Sequence, residues 1–81
     1  MCAEREQMRV KLANLNHQKR ALEDKILTLC MYVRANLNCT MIKPKDLNVA
    51  AAASQMDDLV MVYGELQTTL FEIARLEKEL E

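Results

Sequence analysis

The feature that most constrains this chain is a pair of long apolar stripes, one on each side of a single proline at position 44. Counting back from Pro44, Val33, Leu29, Ile26, Leu22, Leu15, Leu12 and Met8 recur with the alternating three- and four-residue spacing of one helical face. Counting forward, Met56, Leu59, Tyr63, Leu66, Leu70, Ile73 and Leu80 do the same. With one Gly and one Pro in 81 residues, the chain has material for one central turn and none for the turns of a sheet. The pattern predicts an all-α fold, an antiparallel two-helix hairpin packed as a coiled coil.

In such a hairpin, facing residues have position numbers with a constant sum, and seam positions of opposite heptad type meet. A sum of about 85 pairs Leu29 with Met56, Ile26 with Leu59, Leu22 with Tyr63, Leu15 with Leu70 and Leu12 with Ile73. This register also places Lys19 opposite Leu66 and Glu77 opposite Met8. The aliphatic stem of Lys19 can line a seam while its ammonium stays in water.

Charge selects the same pairing. Up to Lys45 the chain carries nine basic residues and four acidic ones, a balance of +5; from Asp46 onward it carries eight acidic and two basic, a balance of −6. Folding back lays a basic helix beside an acidic one, whereas side-by-side copies of one helix would repel. Exposed ion pairs stabilise weakly, so charge chooses the partner more than it holds the fold.

The expected organisation is one hairpin domain over 1–81, with a helix over about 3–37, a turn over about 38–45 and a second helix over about 46–81. Asn36 and Asn38 are candidate stops for the first helix, because Asn tolerates left-handed geometry and its amide bonds to the local backbone. Asp46 or Asn48 is the candidate cap of the second. Ser54 to Asp57 resembles a weak competing start signal, but Ala50 to Ala53 are the best helix formers available and favour continuity. Gly64 reads either as a tolerated surface glycine or as a point of close helix approach. Leu76 followed by Leu80 reads as a pattern still running where the sequence stops, as in a segment of a longer coiled coil.

Near the turn, apolar residues spread beyond a two-helix seam. Leu27, Cys30, Met31 and Leu37 on the first helix, with Val60, Met61 and Val62 on the second, are assigned to a partner interface. The expected assembly is a four-helix bundle, made as a homodimer or a hetero-oligomer through helix packing.

Little else in the chain suggests chemistry. His17 is the only histidine and has Asn14, Ala13, Arg20 and Ala21 as helical neighbours, so neither a metal nor a catalytic role is assigned. No Gly-rich phosphate loop is present, and no cofactor or small-molecule substrate is expected. The basic residues of the first helix lack interleaved aromatics and face an acidic helix, which argues against direct nucleic-acid binding. No apolar run is long enough to span a bilayer. Cys2, Cys30 and Cys39 show no metal or redox spacing and read as reduced thiols, which with the absence of a signal peptide suggests an intracellular, cytoplasmic or nuclear location.

The sequence therefore predicts a non-enzymatic assembly subunit that oligomerises within a larger complex, of the kind found in cytoskeletal, trafficking or chromosome-associated systems. The alternatives are a small helical chaperone or carrier with a transient apolar client, and a parallel homodimer of long helices kinked at Pro44.

Overall fold

The computed structural model of the protein describes residues 2–81, with side chains from residue 3 onward. The thiol of Cys2 lies outside the described residues. Two helices, α1 (Cys2–Asn36) and α2 (Val49–Leu80), run antiparallel and are joined by residues 37–48, within which Pro44–Asp46 form one 3-10 turn. The helices pack against each other, giving a rod of 63 × 16 × 15 Å. Its radius of gyration is 18.3 Å, against about 12 Å for a compact globule of this length. Among the described residues, long-range packing is almost entirely helix on helix along one seam.

The turn is built from local polar bonds. Asn38 Oδ1 accepts from the Thr40 hydroxyl at 2.6 Å and from the Thr40 N–H at 3.3 Å, and the Asn38 carbonyl accepts from the N–H groups of Met41 and Ile42. No described non-glycine residue has a positive φ. The helix thus stops through side-chain bonding and without a left-handed residue. Lys43 is extended, as the following proline requires.

The second helix starts later than about residue 46. Asp46 belongs to the 3-10 turn, its N–H donating to Lys43 O at 2.8 Å, and Leu47 is again extended. Asn48 is the cap: its Oδ1 accepts from Ala51 N–H at 3.1 Å, and its carbonyl accepts from Ala52 N–H. From there α2 is unbroken, so Ser54 lies inside it.

The inner face of α1 carries Met8, Leu12, Leu15, Lys19, Leu22, Ile26, Leu29, Val33 and Asn36, all buried or half-buried. On α2 the inner face carries Ala52, Gln55, Leu59, Val62, Leu66, Thr69, Ile73, Leu76 and Leu80. The core centres on Leu22, Val62 and Leu66, with Ile26 and Leu29 against them.

These inner faces correct the register. With seam types alternating, they match at a position sum of about 88, three residues from the expected value. Leu12 then stands level with Leu76, Leu15 with Ile73, Lys19 with Thr69, Leu22 with Leu66, Ile26 with Val62 and Leu29 with Leu59. Two bonds brace the ends: Asn36 Nδ2 donates to Gln55 Oε1 at 2.7 Å, and Arg5 Nη2 donates to the Leu80 carbonyl at 2.8 Å. Met56, Tyr63 and Leu70, expected in the seam, are exposed, while Val62, expected at a partner interface, is 4% exposed within it.

The physical reasons lie in what the slipped register avoids. It removes the Glu77 carboxylate from an apolar seam and places Leu76 there at 4% exposure. Lys19 meets the small Thr69, whose hydroxyl is satisfied by the Glu65 carbonyl at 2.9 Å. Tyr63 stays outside this seam, 55% exposed.

Candidate protein-docking interface

The heptad assignment divides the rod into two unlike flanks. With a positions at Leu12, Lys19, Ile26 and Val33 on α1 and at Ala52, Leu59, Leu66, Ile73 and Leu80 on α2, antiparallel packing brings the g positions of both helices to one side and the e positions to the other.

The g side is charged and complementary. Lys11, Gln18 and Lys25 of α1 stand there against Asp58, Glu65, Glu72 and Glu79 of α2. One shallow groove on it is lined by Lys25, Asp58, Met61 and Glu65, another by Gln18, Glu65, Thr68 and Glu72. Two of the nine basic residues of the first half and four of the eight acidic residues of the second lie along this flank.

On α2 the e side is apolar as far as Glu77. Val49, Met56, Tyr63 and Leu70 occupy its e positions, and Ala53, Val60, Gln67 and Ala74 occupy the adjacent b positions. All eight are exposed, Tyr63 at 55% and Val60 at 66%. Together they repeat the four-three spacing of the seam itself. They form a second heptad stripe, roughly 100° around α2 from the first. On α1 the same flank carries Leu27 and Leu37, both exposed, and the half-buried Cys30, alongside the exposed Arg20, Glu23 and Arg34. This concentration of apolar surface lies nearest the turn.

The residues assigned from sequence to a partner interface therefore separate. Leu27, Cys30, Leu37 and Val60 share the apolar flank. Met61 lies in the charged-side groove, Met31 is exposed on the back of α1, and Val62 belongs to the seam. Met56, Tyr63 and Leu70 join the flank. Their signal was present in the sequence as a second phase of α2 sharing neighbours with the first.

Other features carry no comparable geometry. Gly64 is exposed, and a Cβ built on it meets nothing within 4 Å, so no helix approaches it closely. Ala52 is the alanine buried against α1. His17 is exposed, and among the described residues no three His, Cys, Asp or Glu side chains gather into a metal site. Cys39 is exposed, its thiol donating to the Leu37 carbonyl. No described helix is long and apolar enough to cross a membrane. No family model matches the chain, and neither a curated protein nor a solved structure does so. The fold and its flanks define a class, the amphipathic helical hairpin with an exposed apolar stripe on its second helix.

Proposed function

We propose that the protein is a non-enzymatic assembly module that adds its two helices to a helical bundle through the apolar flank. The observation that carries this reading is that the hairpin leaves a second apolar stripe on α2 exposed. Val49, Met56, Val60, Tyr63 and Leu70 stay in water although they recur with the spacing of a helix-packing seam. Burying a large apolar side chain stabilises by roughly 1.5–3 kcal/mol. Covering these five would contribute on the order of the whole stability of a small domain. A helix with its own heptad stripe is the occupant that such spacing fits.

The test is the size of the species that contains the chain, measured by sedimentation of both purified protein and cell extract. Wild-type chain should sediment above its 9.3 kDa monomer mass in at least one of the two. Val60→Glu with Tyr63→Glu should sediment as a monomer in both, with helicity unchanged. A wild-type chain that is monomeric in purified form and in extract would remove this reading.

Exposed methionines support the second reading, a carrier of transient apolar clients. Met31, Met41, Met56 and Met61 are all exposed, and flexible thioethers adapt to varied surfaces. Three of the four lie off the flank, which favours the bundle.

A further inference from the structure

We infer that the occupant of the apolar flank is a second copy of this chain, docked so that the two α2 helices run antiparallel about a two-fold axis midway between Val60 and Tyr63. This rests on the assembly reading above and specifies its partner.

The first support is size complementarity. The stripe at Val49, Ala53, Met56, Val60, Tyr63, Gln67, Leu70 and Ala74 has the same spacing read from either end, so it superimposes on its own two-fold image with unlike heptad types facing. Val60 then faces Tyr63 of the other copy, Ala53 faces Leu70, and Val49 faces Ala74. Small side chains meet large ones, as interdigitated cores require. Gln67 faces Met56, whose thioether adapts to an uneven neighbour. Slipping the copies by one heptad in either direction leaves only six of the eight stripe residues paired, so this register buries the most of the stripe.

The second support is charge. The second half of the chain has a balance of −6, so two α2 helices should repel wherever their carboxylates meet. In this arrangement they do not meet. Asp58, Glu65, Glu72 and Glu79 lie on the opposite flank, facing Lys11 and Lys25. Asp57 falls level with Gly64 of the other copy, which offers no side chain. Glu77, the next member of the row, overhangs the other copy's turn, where Lys43 and Lys45 offset Asp46.

The third support is an exposed aromatic that the hairpin does not use. Phe71 is 73% exposed, and the two-fold brings it level with Ala50 of the other copy, again large against small. The same axis sets both α1 helices on one side of the α2 pair. The two Leu27 side chains come level, Cys30 stands level with Glu23 of the other copy, and the four helices close into a bundle.

The experiment uses the full chain under reducing conditions for sedimentation equilibrium, then a background with Cys2, Cys30 and Cys39 replaced by Ser for cross-linking. Ala53 and Leu70 are about 26 Å apart along one helix. Chains carrying Ala53→Cys mixed with chains carrying Leu70→Cys should form a mixed disulfide at least about tenfold faster than either chain forms a disulfide with itself, because only the facing pair has bonding geometry. Val60→Lys with Tyr63→Lys should weaken dimerisation roughly 100-fold or more while remaining helical. Val60→Glu with Tyr63→Glu should do the same, and mixing the two variants should restore a dimer. A helical wild-type monomer at all concentrations overturns the second-copy inference and leaves the assembly reading to the extract measurement. A dimer that links Ala53→Cys chains to themselves, or that ignores the charge swap, overturns the two-fold.

Discussion

Leu76 decides which face of α2 turns inward. It is 4% exposed opposite Leu12, and its neighbour Glu77 would replace it in the seam if α2 rotated to bury the stripe of Met56, Tyr63 and Leu70. An unpaired carboxylate in that layer costs more than the stripe would gain there, since a buried charge must be paired or neutralised. Leu76→Ala should therefore cost about 2–5 kcal/mol, enough to unfold much of a marginal hairpin. Met56→Ala, on the exposed stripe, should change the stability of the isolated hairpin by less than about 0.5 kcal/mol. Urea denaturation of both, in the Val60→Lys, Tyr63→Lys background that removes self-association, compares them directly. A larger loss for Met56→Ala than for Leu76→Ala would mean that Met56, and not Leu76, belongs to the seam.

At the level of the helix, the hairpin was legible in the sequence to unequal degrees. On α1 the residues between Leu12, Leu15, Leu22 and Ile26 are mostly charged or polar, so only one apolar phase exists there and the inner face coincides with it. On α2, Leu59, Leu66, Ile73 and Leu80 belong equally to two phases. One is completed by Met56, Tyr63 and Leu70, the other by Gln55, Val62, Thr69 and Leu76. Met56, Tyr63 and Leu70 favour the first phase only as far as Glu77, its next member, where the second phase has Leu76. The bond between Asn36 and Gln55, which also selects the second, is non-local and does not show in the hydropathy of one helix. The turn was less legible, since Asp46 and Asn48 are both good caps by type. What separates them is that Asp46 is already committed to the 3-10 turn after Pro44. Asn48→Ala should lose the bond to the Ala51 N–H and destabilise the hairpin by about 1 kcal/mol. Asn48→Asp, which keeps an acceptor there, should lose little. A matching loss in both variants, read from the denaturant midpoint, would show that the side-chain cap is not what holds the start of α2.

The whole molecule is a rod with one charged flank and one apolar flank, and this asymmetry sets how its stability depends on concentration. A two-helix seam includes Lys19, Thr69, Gln55 and Asn36 among its layers, so hydrophobic burial within one chain is thin for 81 residues. Closing the apolar flank against a second copy adds burial that the unfolded chain cannot retain. Unfolding is then linked to dissociation, and mass action makes the thermal midpoint rise with total chain concentration. The midpoint of the wild-type chain should increase steadily over about a 100-fold concentration range. That of Val60→Lys with Tyr63→Lys should be lower and constant, because the variant unfolds from a monomer. Added salt separates the two flanks further. The Lys–Glu flank is exposed and weakens as ions screen it, whereas an apolar dimer face does not, so salt should lower the variant's midpoint by more than it lowers the wild-type's. A wild-type midpoint that is independent of concentration would mean that the rod unfolds alone, with its seam sufficient and its second stripe uncovered by any copy of itself.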